Sequence, residues 1–291
     1  MSDQPETEQP ACYRHPDRPA LLRCSRCERP VCSDDAIEAP VGYQCRECAA
    51  GGQRVRHLGE LIPDATVTKV LVGIIAVLFF ASSAIPELTN QFALRPVLVG
   101  FGEWWLLITS GFLHANLMHV AFNGYLLWML GQMLEPNLGH ARFGALYAAG
   151  LAGGGLGVVL LSWLWAVTPL SELPVVGTII TSHPGVPTIG ASGAVFGLMG
   201  AAVIGLRNRG INPWRTDIGT LVLLNLAITF FIPNISVGGH IGGLLAGMAV
   251  GKLVFVGWEQ ARRATLLASG AALGMLVVAV VLANATFSAL T

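Results

Sequence analysis

The sequence predicts an all-α polytopic membrane protein, a helical bundle preceded by a small cysteine-rich domain. Three observations predict it: an apolar composition, seven apolar stretches of spanning or near-spanning length, and basic residues that alternate between loops. The 291 residues are 53% hydrophobic and 12% charged, against about 25% charged in soluble domains. Residues 1–64 hold both signs of charge in quantity, whereas long runs after Thr66 hold almost none. This contrast divides the chain into a polar N-terminal part and a membrane part. A formal net charge of zero gives no sign of nucleic acid as a partner. The opening MSDQPETEQP lacks the basic start and apolar core of a secretory signal, so the N-terminus is expected in the cytosol.

The first element is a cysteine cluster. All six cysteines fall between Cys12 and Cys48, and a reducing compartment favours metal binding over disulfides for them. The spacing is Cys12-x2-His15, Cys24-x2-Cys27, Cys32-x2-Asp35 and Cys45-x2-Cys48. Four pairs with two-residue gaps suit four-coordinate zinc, each short knuckle offering two ligands to one ion. A segment of about 40 residues can scarcely fold without such a staple. The pattern is similar to a B-box-type zinc finger. That resemblance implies cross-bracing and two structural zinc ions, one on Cys12, His15, Cys32 and Asp35, the other on Cys24, Cys27, Cys45 and Cys48. Asp34 is an alternative to Asp35. Binding a cytosolic partner, or regulation, is the expected role.

After a linker around residues 51–65, apolar stretches run at about 67–86, 113–134, 143–166, 191–207, 216–232, 238–257 and 264–287, near the ~20 residues that cross a hydrocarbon core. The fourth and fifth are short enough to be buried hairpin helices instead. A charge test favours seven spans. Arg54, Arg56 and Lys69 precede or open span one, and Arg142 follows span two. Arg207, Arg209 and Arg215 follow span four, while Lys252, Arg262 and Arg263 follow span six. The intervening loops (87–112, 167–190, 233–237) and the tail contain one basic residue, Arg95. Positive charge marks cytosolic loops, so the N-terminus is expected inside and the C-terminus outside. Loop 87–112 carries Trp104 and Trp105 and is expected to lie partly in the outer interface.

Polar residues within these stretches are costly and merit a functional hypothesis. Span two contains His114, Asn116, His119 and Asn123, span four opens with Ser192, and span six opens with Gly239-His240. The charge-derived topology puts all of them near the outer surface, Asn123 deepest. His119 and Asn123, at i and i+4, share a helix face. His114, five positions before His119 and far round the same helix, is expected to be secondary. A serine hydroxyl needs an adjacent base, usually histidine, and the attacked carbonyl needs donors where charge develops. Singly, each signal has a bland reading. A membrane serine more often bonds back to its own helix, and the histidines and Asn123 could together line a transport path. Glycine density in spans four and six suggests that these helices touch.

The stretch GASGAVFGLMG (Gly190–Gly200) resembles the GxSG motif of rhomboid intramembrane proteases, GHIGGLLAG (Gly239–Gly247) their HxxGxxxG motif, and HANLMHVAFN (His114–Asn123) their second helix, with Glu135 after it. The resemblance covers roughly residues 66–258. It implies a six-helix protease core with a Ser–His dyad: Ser192 as nucleophile and His240 as general base. It further implies oxyanion stabilisation by the Ser192 N–H and the side chains of His119 and Asn123, with His114 retaining water. No carboxylate lies in the outer halves of spans two, four or six, so packing against span four is expected to orient the imidazole. The family's aromatic beneath the histidine is Phe196 here rather than Tyr, and its first-loop Trp-Arg pair reads Trp105-Leu106.

These readings divide the chain into a cytosolic zinc-binding domain (1–50), a linker (51–65), a rhomboid core of six transmembrane helices (66–258) and an additional C-terminal transmembrane helix (259–291). The expected function is that of an intramembrane serine endopeptidase acting in the lipid bilayer on single-span membrane proteins near their outer ends. The alternatives are a catalytically silent relative that binds and sorts membrane clients, and a transporter, which would favour a charged or broken-helix site near mid-bilayer. A plasma-membrane location, leaning toward bacteria, is expected.

Overall fold

The structure, a computed structural model, describes residues 10–39, 41–50, 64–168 and 183–290. Most of the predicted linker and the middle of the predicted 167–190 loop lie outside the described residues, as do Arg54 and Arg56. The chain divides after Leu61 into two compact units, each described by itself.

The N-terminal unit is built from two small antiparallel ribbons. β1 (Leu22–Arg23) pairs with β2 (Pro30–Val31), β3 (Ile37–Glu38) pairs with β4 (Tyr43–Gln44), and helix α1 (Arg46–Ala50) follows. Its apolar interior is little more than Ala20, Val31 and the cysteines Cys12, Cys24, Cys32 and Cys45. So small a core cannot offset the chain entropy of ordering these residues.

The second unit is helical: α2 (Thr66–Ala84), α3 (Pro86–Phe92), α4 (Pro96–Gly100), α5 (Leu106–Thr109), α6 (Leu117–Leu138), α7 (His140–Val167), α8 (Ser192–Asn208), α9 (Asp217–Phe231), α10 (Val237–Val254) and α11 (Ala261–Leu290). A helix thus stands at each of the seven apolar stretches. Four meet the length and hydropathy expected of a membrane span: α2, α7, α10 and the run Trp258–Ala289 that holds most of α11. α8 and α9 have 17 and 15 residues, so at 1.5 Å per residue they reach only about 22–26 Å. The predicted 87–112 loop is largely helical, folding as α3, α4, α5 and a 3-10 turn at Ser110–Phe112, with Phe101, Trp104 and Trp105 exposed.

α7 is the centre of the bundle, packed against α8, α10 and α11. Its glycines make that possible. A Cβ on Gly157 would stand 2.1 Å from Gly238 O, and one on Gly153 2.2 Å from the Ala246 side chain. Backbones this close leave no room for a methyl group. α11 joins the bundle through a stripe of buried alanines (Ala264, Ala268, Ala272, Ala279 and Ala283), spaced to recur on one helix face.

α2 is anchored by a residue from α6. The fully buried Glu135 accepts hydrogen bonds from Val67 N (2.7 Å), Thr68 N (2.8 Å) and Thr68 Oγ1 (2.6 Å), and also pairs with His140 Nδ1 at 2.6 Å. A carboxylate at a helix N-terminus satisfies orphan N–H groups and complements the dipole. Arg142, 3% exposed, closes the same end of α7 by donating to the carbonyls of Leu138, Val254 and Val256.

Candidate active site

The site grows from the segment that leads into α8. Leu94 and Thr188 exchange backbone hydrogen bonds at 2.8 and 3.0 Å, and Gly190 N donates to Ser110 O at 2.9 Å. The stretch 188–190 is therefore stitched to the loop before α6. Gly190 has φ +131°, and a Cβ there would lie 2.8 Å from His119 Nε2. Only glycine accepts both that backbone and that neighbour. Ser192 is the first residue of α8, so its N–H has no intrahelical acceptor and points with the positive end of the helix dipole.

His240 comes from α10, which Ser236 starts by accepting a bond from Gly239 N at 3.1 Å. The contact between α8 and α10 is the closest kind two helices make. A Cβ on Gly243 would fall 2.0 Å from Gly193 O, and one on Gly247 1.9 Å from Gly197 O. The two glycine-rich helices therefore touch along their backbones, with Ser192 and His240 at the same end.

Ser192, His240, His119 and Asn123 all line one cavity of about 1210 Å³, which also takes in Gly190, Phe196, Trp165 and His183. Among the described residues no hydrogen bond joins Ser192 Oγ to His240; catalytic contacts of this kind often tighten only with substrate bound. The imidazole is held on two sides. Phe196 stacks on it with centroids 4.2 Å apart and planes 20° apart, and Thr229 Oγ1 lies 2.6 Å from Nδ1. The stacking is the packing against span four that was expected. Thr229 was not foreseen, because it sits on α9, which carries none of the recognised motifs.

Span two starts later than predicted. Asn116 caps α6 by accepting from His119 N at 2.9 Å, so His114 precedes the helix. The helical-wheel argument that set His114 apart from His119 does not apply, and their rings meet edge to face at 4.9 Å. His114 is not a wall of the cavity. It is buried behind it, with Nε2 a long 3.5 Å from Ala191 N and Nδ1 without a partner among the described residues. Asn123 Nδ2 donates to His119 O, four residues back in its own helix, at 3.1 Å. Leu106 is fully buried, a place that a guanidinium would enter only at high cost.

Two further clusters lie in the N-terminal unit. Cys24, Cys27, Cys45 and Cys48 form one, and Cys12, His15, Cys32 and Asp35 the other, each with ligand atoms within 4.8 Å of one another. First and third pairs combine, as do second and fourth. Asp35 rather than Asp34 takes part: Asp35 is 1% exposed and 2.9 Å from His15 Nδ1, whereas Asp34 pairs with Arg18. The donor sets fit a divalent cation. Burial opposes the Cys24 thiolate, but backbone N–H groups of Cys45, Arg26 and Cys27 outweigh it and hold that thiol down to about 6. Hydrogen bonds with Cys45 and Cys27 push Cys48 up to about 12. Four thiols this close repel one another when ionised, and a cation relieves that repulsion.

A many-helix membrane protein with a largely apolar cavity into which a helix N-terminus and a histidine project is the class that this fold and site define. The family model for the rhomboid domain matches residues 101–257, more than half of the chain, which therefore belongs to the rhomboid family. It is 34% identical over 154 residues to rhomboid protease GluP of Bacillus subtilis, covering 52% of this chain and 26% of that one. It is 34% identical over 182 residues to RHOMBOID-like protein 5 of Arabidopsis thaliana (60% and 51%), and 32% identical over 159 residues to the putative rhomboid protease YdcA of Bacillus subtilis (53% and 69%). The matched region thus spans a quarter and a half of the first two relatives. Rhomboid proteases are among its relatives, and the chain is a multi-pass membrane protein.

Proposed function

We propose that the chain is an intramembrane serine endopeptidase that cuts single-span membrane proteins near their outer ends. Ser192 Oγ attacks the scissile carbonyl carbon as its proton passes to His240. The resulting oxyanion is met by the Ser192 N–H and the side chains of His119 and Asn123. Collapse breaks the C–N bond, His240 returns the proton to the leaving amine, and water then hydrolyses the acyl-enzyme by the same route. The observation that carries this reading is the shared cavity wall: hydroxyl, imidazole and oxyanion donors, drawn from three helices, meet in one space. The burial of His114, whose Nδ1 has no partner of good geometry among the described residues, favours a role in holding water behind the site.

The alternating basic loops support seven spans with the N-terminus in the cytoplasm and the C-terminus outside, and the cytosolic zinc-binding domain leans toward a plasma membrane of bacterial type. The rhomboid core occupies residues 66–258, with an added C-terminal span at 259–291. The domain at residues 1–50 holds two structural zinc ions on its paired clusters and serves a cytosolic partner. Tetrahedral cysteine-rich sets favour zinc among common divalent ions.

Purified protein incubated with a single-span reporter tests the proteolysis. Wild type should cleave and Ser192→Ala should not. Equal cleavage by both removes the assignment, and no cleavage by either favours a client-binding relative.

A further inference from the structure

Thr229 Oγ1 has one proton and two close neighbours. It lies 2.7 Å from Asn225 O, the carbonyl four residues back in α9, and 2.6 Å from His240 Nδ1 on α10. Bonding back to the i−4 carbonyl is ordinary for a threonine in a membrane helix. A second partner on another helix is not. Thr229 is 2% exposed and His240 8%, so bulk water does not mediate between them.

The two distances constrain where the protons are. A carbonyl oxygen has no proton to give, so an O···O separation of 2.7 Å is sustained only when the Thr229 hydroxyl donates to Asn225 O. Its remaining lone pairs then face Nδ1, and a 2.6 Å contact there is sustained only when Nδ1 carries hydrogen and donates. The opposite assignment sets oxygen lone pairs against each other at 2.7 Å in a buried site, which disfavours it on the order of tenfold or more. Free histidine prefers the other tautomer, with hydrogen on Nε2. An Nδ1–H ring at this position reverses the side chain's own preference.

We infer that Thr229 is a positioning residue that locks His240 in its Nδ1–H tautomer, leaving on Nε2 the lone pair a general base needs. The inference rests on the hydrolytic reading of the cavity. It supplies what a carboxylate supplies in a three-member serine hydrolase, the fixing of tautomer and ring rotation, with a neutral hydroxyl anchored to its own helix. Phe196 fixes the plane of the ring and Thr229 fixes its rotation by holding the Nδ1 edge.

The test uses full-length Thr229→Val, which keeps the shape and loses the hydroxyl, and Thr229→Ser, which restores it. Two readouts are followed: cleavage of the single-span reporter, and nitrogen-15 shifts of labelled histidine in detergent, assigned to His240 by its loss in His240→Gln. Wild type and Thr229→Ser should show protonated Nδ1, and Thr229→Val should move toward protonated Nε2. Thr229→Val should lower kcat by about 10- to 100-fold, part of the roughly 100- to 10,000-fold that a positioned general base contributes, with KM unchanged, while Thr229→Ser stays close to wild type. Protonated Nε2 in the wild type overturns the inference, as does wild-type kcat in Thr229→Val when Ser192→Ala is dead. In both cases the hydrolytic reading survives. Undiminished cleavage by Ser192→Ala removes that reading, and the role of Thr229 with it, whatever the nitrogen shifts show.

Discussion

Gly243→Ala is the sharpest probe of how the proposed Ser192–His240 dyad is held. One methyl group on α10 would sit 2.0 Å from the carbonyl oxygen and 2.8 Å from the carbonyl carbon of Gly193, where ordinary contact begins near 3.4 Å. Both struck atoms are backbone, so no rotamer change relieves the clash, and the two helices must separate by on the order of 1 Å. Overpacking of this kind costs about 1–3 kcal/mol. The displaced residue is next to Ser192, and Gly243 lies one turn beyond His240, so the separation falls on the distance between hydroxyl and imidazole. A misplacement of about 1 Å lowers a positioned reaction by roughly 100-fold. The assay compares reporter cleavage and thermal melting of purified Gly243→Ala with Gly270→Ala, whose added methyl meets nothing within 4 Å. Gly270→Ala should keep wild-type cleavage and gain about 0.5–1 kcal/mol from helix propensity. Gly243→Ala should retain its helical content, melt lower and lose about 100-fold in cleavage. Wild-type cleavage by Gly243→Ala refutes the idea that this backbone contact sets the dyad geometry.

Two further predictions concern the rest of the chain. Metal analysis should find about two zinc ions per chain; Cys24→Ser should lose one of them, and chelation should unfold residues 10–50 while leaving the melting of the helical unit in place, so finding no metal at all removes the finger assignment. A phosphatase active only outside the cytoplasm should work when fused after Thr291 and fail when fused after Arg209; the reverse pattern overturns the orientation read from the basic loops.

Much of the helical unit was legible because burial in lipid imposes length and apolarity on each helix, and both are properties of consecutive residues. The helices α2, α7, α10 and α11 announced themselves that way. The motif residues Ser192 and His240 were legible for a related reason: local rules place each at the start of a helix, and the glycines beside them have few uses other than close approach. His114 was misplaced onto a helix because the cap at Asn116 competes with an apolar pattern that runs straight through it. The loop at 87–112 resolved into three short helices, since proline at the start of α3 and α4 preorganises first turns that a hydropathy scan does not see.

The sequence by itself determined the helical class, the paired metal-ligand spacing and the pairing of a glycine-flanked serine with a glycine-flanked histidine. All of these follow from short-range spacing, which the covalent chain carries within itself. Only the tertiary structure decided that Asp35 and not Asp34 turns inward, that Glu135 caps a helix 67 residues earlier, and that Thr229 reaches the back of the His240 ring. Each of these is one hydrogen bond between elements distant in sequence. Its partners are settled by how whole helices pack, and nothing in the residues around either end specifies the other.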